Sequence, residues 1–193
     1  MRKTNERNTR GKIINAAWKL FYEQGYDDTT IEDIVFESGT SKGSFYHYFS
    51  GKDALLSTLS FLFDERYEIL ANQNTEADAL TRLLQLNHEI FLFIENTVPI
   101  DLLSRLLSSQ LVTKDKKHLL DENRTYYKLI RRVIADGVER GELRSDLSVN
   151  ELVKSFALLE RSMMYDWCLC EGHYSLCAYS EKMLPEFLAF YKK

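Results

Sequence analysis

The chain has 193 residues, 45% apolar and 28% charged, with a formal net charge of −4. That length holds one large domain or a small domain joined to a larger one, and the apolar fraction excludes a disordered chain. The longest run without charge, Ala54 to Phe63, is far short of the ~18 apolar residues that a membrane span requires.

Only two prolines, Pro99 and Pro185, and eight glycines punctuate the chain, which points to an all-α protein. The opening segment MRKTNERNTRGK carries Arg2, Lys3, Arg7, Arg10 and Lys12. It lacks the apolar centre of a signal peptide, so it reads as a basic arm, and a cytoplasmic location with no membrane partner is expected. A first helix is predicted from about Thr9, as N-cap, to Gln24. Its face of Ile13, Ala17, Leu20 and Phe21 has helical spacing, and Gly25 ends it. In DDTTIEDIVFESG, Thr30 and Asp33 form a capping box, with Thr29 the alternative cap. Ile31, Ile34 and Val35 give a short second helix its buried stripe, and Gly39 stops it. Thr40 and Ser41 alone separate it from a third helix, Lys42 to about Phe49. Two short helices joined by a tight Gly-containing turn make a helix-turn-helix.

After Ser50-Gly51 a longer helix is predicted from Lys52 to near Gln73. Further amphipathic helices are expected from Thr75 to about Asn96, after Pro99, from His118 to Arg140, from Ser148 to Glu171 and from Ser175 to Tyr191, about nine in all. Asn87 and His88 interrupt the apolar run of the fifth helix and read as hydrogen-bonded or exposed side chains. Glu160-Arg161 reads as a surface or interface ion pair. Cys168, Cys170, His173 and Cys177 lie close together, but Cys168 and Cys170 project about 200° apart on a helix. No metal, cofactor or redox role is assigned to them, and three cysteines make no disulfide framework.

The stretch GTSKGSFYHYF, Gly39 to Phe49, raises the functional question. At about 100° per residue, Phe45 and Phe49 fall on one face, and Gly43, Ser44 and His47 on the other with Tyr46 on its flank. The first face packs inward. The second has no packing task and suits close approach to another surface. Lys42 and Lys52 add charge at both ends, tyrosine hydroxyls reach phosphate oxygens, and a helix N-terminus favours an anion. This is the logic of a recognition helix in a DNA major groove. Net charge does not oppose it, because residues 1–55 hold eight Lys/Arg and eight Asp/Glu and sum to zero.

Residues 9–56 as a whole, T…II.AA..LF...GY..TTIEDI....GTSKGSFYHYFSGKDALL, closely resemble the DNA-binding region of the TetR family of bacterial transcriptional regulators. The matching residues include Ala16-Ala17, Leu20-Phe21, Gly25, Thr29-Thr30, Ile34, Gly39, Ser41-Lys42-Gly43, Tyr46, Phe49 and Lys52. Val35-Phe36 departs from the small residues common there. The resemblance implies that Thr30, Tyr46 and Lys52 contact phosphate, that Ser41, Lys42 and Gly43 lie against DNA, and that Ser44 and His47 touch base edges. No Arg, Asn or Gln stands on the third helix for bidentate base recognition, so operator preference is expected to lean on shape, backbone contacts and the arm.

Beyond residue 60 the resemblance is weak. It implies a helix-turn-helix domain over 1–53 and, over 54–193, a helical domain for effector binding and dimerisation. The stripe Leu152, Phe156, Leu159 and Met163, widened by Val153, Ala157, Met164 and Trp167, suggests burial on two sides. Leu176, Met183, Leu184, Phe187 and Tyr191 repeat the theme on the last helix. Phe156, Met164, Met183 and Phe187 are the candidate interface of a homodimer. Phe61, Tyr67, Phe91, Tyr126, Met163 and Trp167 are candidates for a pocket that takes a small apolar or aromatic effector, though each also suits ordinary core. A DNA-binding regulator controlled by a partner protein, or an architectural one, is the alternative. An enzyme is not expected: no HExxH, nucleophile elbow or phosphate-binding glycine loop is present.

Overall fold

The computed structural model describes residues 2–73, 76–114 and 117–193, with side chains from residue 9 onward. The basic side chains of Arg2, Lys3 and Arg7, and the helix start expected at Thr75, lie outside the described residues. Ten α-helical segments occur among the described residues. They form two compact units, one of residues up to Phe61 with Asp101–Thr113, the other of Leu62–Ile100 with Lys114–Lys193. The unit holding the helix-turn-helix is therefore larger than residues 1–53.

The first unit begins with α1 (Arg2–Gln24), α2 (Ile31–Ser38), α3 (Lys42–Tyr48) and α4 (Lys52–Leu56). Helix α1 runs through Thr9, which is not a cap, because neither proline nor glycine precedes it to stop the helix. Ile13, Ala17, Phe21, Ile34, Phe45 and Leu55 are buried at 2% exposure or less, so the inward stripes of α1, α2 and α3 form one core. The long helix expected from Lys52 is interrupted: α5 (Leu59–Leu70) starts only after Ser57-Thr58. The Ser57 hydroxyl donates to the Ala54 carbonyl at 2.7 Å and that of Thr58 to Leu55 at 2.6 Å, and such side-chain bonds compete with the helical ladder. Thr58 in turn accepts from Trp18 Nε1 at 2.8 Å. Pro99 immediately precedes α7 (Ile100–Val112), whose Leu102, Leu103, Leu106 and Leu107 are buried.

The second unit holds most of α5, then α6 (Ala79–Thr97), α8 (Thr125–Glu139), α9 (Val149–Leu169) and α10 (Leu176–Leu188). Asp78 caps α6, accepting from Thr81 N at 3.0 Å. The helix expected from His118 is only a 3₁₀ turn over His118–Leu120, and α8 starts at Thr125 after Asp121 accepts from Asn123 N at 3.1 Å, a turn that breaks the helical path. Ser148 and Glu151 form a full capping box for α9, as Thr30 and Asp33 do for α2. Helices α6 and α8 approach so closely that a Cβ on Gly137 would collide with the Ala79 side chain.

A polar network runs through this second core. Glu160 is 4% exposed, accepts from Asn87 Nδ2 at 2.8 Å and from the Tyr126 hydroxyl at 2.6 Å, and Ser180 donates to Asn87. Glu160 is therefore no surface partner of Arg161, which donates instead to the Tyr127 hydroxyl at 3.0 Å. Burial pushes the Glu160 carboxyl up to about 7, against the two hydrogen bonds, which favour its ionised form.

Candidate nucleic-acid interface

Helix α3 is positioned by its aromatic face. Phe45 is fully buried and Phe49 5% exposed, and their rings lie 5.8 Å apart. Tyr46 packs edge-on to Phe45 at 5.4 Å yet stays 51% exposed, and Lys42, Gly43 and His47 are exposed with it. The helix thus turns its only unpacked face outward. Its entry is set by Gly39 at φ 60°, a left-handed conformation that glycine adopts without strain. A Cβ on Gly43 would meet nothing nearer than the Ser41 hydroxyl at 3.8 Å, so the chain itself does not require glycine there.

The polar groups already have intramolecular partners. Ser41 accepts from Ser44 N at 3.1 Å and its hydroxyl pairs with that of Ser44 at 2.9 Å, so the two serines cap α3. The Thr30 hydroxyl donates to Asp33 at 2.6 Å as part of its capping box. Lys42 pairs with Glu32, and both side chains are exposed; Glu32 holds the Lys42 ammonium above its ordinary range. Lys52 differs from the rest. Its ammonium is turned to the α1–α2 loop, where it donates to the carbonyls of Tyr26 and Thr29. Arg10 stacks on the rings of Phe49 and Phe61 at 5.5 and 5.8 Å. Phe36 is 88% exposed on α2, so its departure from a small residue is borne by solvent and not by the core.

In the second unit a cleft of about 560 Å³ is lined by α5, α6 and α10, with Arg82, Asn87, His88, Ser180 and Glu181 among its walls. None of the six candidate pocket residues lines it. Tyr67, Phe91, Tyr126, Met163 and Trp167 are core residues at 8% exposure or less, with Tyr67 and Tyr126 rings 5.1 Å apart, while Phe61 is 47% exposed and belongs to the first unit. Asn87 is hydrogen-bonded to Glu160 and Ser180 and His88 is partly exposed beside Glu181, as their interruption of the apolar run implied, and both line the cleft. Of the four candidate interface residues, Phe187 is 44% exposed, Met164 and Met183 are half-buried, and Phe156 is fully buried within its own chain. Phe156 is thus a core residue, because its position on α9 faces inward.

Residues 13–59 match the profile of the bacterial regulatory proteins of the tetR family. The uncharacterized HTH-type transcriptional regulator YuxN of Bacillus subtilis is 41% identical over 68 residues, 35% of this chain but only 23% of that relative's length. The HTH-type transcriptional regulator TtgR of Pseudomonas putida is 25% identical over an alignment of 193 residues, covering 94% of this chain and 91% of its own. The crystal structure of Thermus thermophilus FadR, a TetR-family transcriptional repressor in complex with lauroyl-CoA, superposes with a TM-score of 0.76, 24% identity and 94% coverage of both chains. At that identity the likeness concerns the fold, a helix-turn-helix followed by a helical domain. The exposed face of α3 lies within the matched segment, so residues 13–59 carry the pattern of the helix-turn-helix region of the TetR family of bacterial transcriptional regulators.

Proposed function

We propose that the protein is a cytoplasmic, homodimeric repressor that binds a palindromic operator and leaves it when a small apolar or aromatic effector binds. The observation that carries this reading is α3: Phe45 and Phe49 are held in the core while Lys42, Gly43, Tyr46 and His47 meet solvent without a packing role. Lys42, Tyr46 and Thr30 are assigned to phosphate, Ser41 and Gly43 to close backbone approach, and Ser44 and His47 to base edges. Lys52 serves the interface by bracing the loop that carries Thr30.

Dimerisation is supported by unpartnered apolar surface on the last two helices. Leu158 and Leu169 on α9 are 61% and 78% exposed, and Tyr179 and Phe187 on α10 are 42% and 44% exposed. Two such stripes on helices that pack together suit a twofold interface. An effector site is supported by the cleft, whose 560 Å³ falls in the range of about 300–1,000 Å³ usual for small ligands. Leu70, Leu84, Leu86 and Pro185 give it apolar wall. Arg82, 6% exposed and held by donation to the Ala71 carbonyl at 2.7 Å, places a cationic side chain in that wall.

Selection of bound sequences from a random duplex library tests the reading. A palindrome with half-sites about 34–36 Å apart along the duplex is expected. Enrichment of a single asymmetric site, or none, would refute it. For any effector found, operator DNA must weaken effector binding by the same factor as the effector weakens DNA binding.

A further inference from the structure

Three donors of different chemistry converge between α6 and α10. His88 Nδ1 lies 3.3 Å from Cys177 Sγ and 2.8 Å from a carboxylate oxygen of Glu181. One donor atom from each of the three falls within 4.8 Å of the others. Cys177 and Glu181 stand one helical turn apart on the same face of α10, and His88 reaches them from α6. Cys177 is buried, whereas His88 and Glu181 are partly open and line the cleft. Cys168, Cys170 and His173 take no part: Cys170 is exposed, and His173 Nδ1 contacts the Cys170 carbonyl at 2.6 Å.

Hydrogen bonding alone serves this cluster poorly. A ring nitrogen offers either one proton or one lone pair. If Nδ1 donates to Glu181, the thiol is left with the His88 carbonyl at 3.8 Å. If Nδ1 presents its lone pair to the thiol, it presents it to the carboxylate as well. A cation placed among the three suits a thiolate, an imidazole lone pair and a carboxylate together. In a tetrahedral zinc site with bonds of about 2.3 Å to sulfur and 2.0 Å to nitrogen and oxygen, sulfur and nitrogen sit about 3.5 Å apart and nitrogen and oxygen about 3.3 Å apart; the observed 3.3 Å matches the first, and the 2.8 Å contact to the exposed Glu181 opens as the cation enters. The positive end of α10 would oppose a cation, but Glu95 faces it, accepting from Cys177 N at 2.9 Å and from the Ser175 hydroxyl at 3.1 Å.

We propose that His88, Cys177 and Glu181 form a three-ligand site for a divalent transition metal of the zinc type, joining α6 to α10. The mixture of sulfur, nitrogen and one carboxylate selects against magnesium and calcium, which prefer all-oxygen shells. Because two of the donors line the cleft, the fourth position is open to water or to a ligand there. Ligation by sulfur uses the thiolate, so binding transfers the Cys177 thiol proton to solvent. The site stands independently of the DNA-binding reading.

Cobalt(II), titrated into the full reduced chain, is the probe. One equivalent is expected to give a sulfur-to-cobalt charge-transfer band in the near ultraviolet with visible d–d bands of tetrahedral intensity, and zinc is expected to displace it. Cys177→Ser abolishes the band, while Cys168→Ser and Cys170→Ser keep it. Glu181→Gln, at an exposed position that leaves the fold intact, weakens binding at least about tenfold, the loss typical even of residues behind the ligands. A band that survives Cys177→Ser, an unchanged affinity in Glu181→Gln, or no sulfur band at all overturns the proposal.

Discussion

Lys52 Nζ donates to the carbonyl oxygens of Tyr26 at 2.5 Å and of Thr29 at 2.8 Å, with the Tyr26 ring centroid 4.2 Å away. The first residue of α4 thereby fixes the loop that leads into α2, and with it the capping Thr30. Hydrogen bonds of charged groups contribute about 1.5–3 kcal/mol. Lys52→Met is expected to lose stability in that range by urea denaturation and, with the loop that carries Thr30 no longer braced, to weaken but not abolish operator binding by the folded protein. A full-strength fold with abolished DNA binding would return Lys52 to the phosphate role that the family resemblance implied.

Gly43 separates folding from binding. Since its Cβ position is open, Gly43→Ala is expected to stabilise the chain by about 0.5–1 kcal/mol through helix propensity. The same methyl would intrude where DNA approaches, so operator affinity should fall. Thermal denaturation and fluorescence anisotropy on one preparation check both halves. Unchanged affinity would remove α3 from close contact.

The Lys42–Glu32 pair competes with phosphate for the same ammonium. Glu32→Gln should tighten operator binding, because it frees Lys42 and removes a negative charge from the DNA side. Lys42→Ala should weaken it and reduce the slope of log affinity against log salt by about 0.9 for each phosphate that is no longer neutralised. Equal salt slopes in wild type and Lys42→Ala would place Lys42 off the backbone.

Glu160 makes stability depend on pH. Its carboxyl sits at about 7 when folded against an ordinary 4.5. Between those values the folded chain keeps a proton that the unfolded chain has released, so stability is full below about 4.5, falls as pH rises through 7, and then levels off. The total fall is roughly 3 kcal/mol. Glu160→Gln retains an acceptor for Asn87 and should flatten the profile between pH 5 and 8 to within about 1 kcal/mol. A wild-type curve that rises over that window would contradict the buried carboxyl.

Phe187 and Phe156 should part company. Phe187→Glu, at an exposed position of α10, is expected to give helical monomers with weakened specific DNA binding. Phe156→Ala, at a fully buried one, should instead lose about 3–5 kcal/mol of stability. Light scattering and circular dichroism distinguish the two. A wild-type monomer at micromolar concentration would dispose of the interface.

The reading head was legible in the sequence because its determinants are local. The Thr30–Asp33 capping box, the stop at Gly39 and the inward pair Phe45 and Phe49 all follow from residues three or four apart, and helical geometry fixes how such residues meet. Tertiary structure alone decided what lies across the chain. Lys52 turns to a loop 23 residues earlier, Glu160 meets Asn87 across 73 residues, and Cys177 meets His88 across 89. Those meetings depend on how one helix is rotated against another, and no spacing within either helix encodes it. For the same reason the aromatics Tyr67, Phe91 and Tyr126 went to the core, while a buried arginine, Arg82, went to the wall of the cleft.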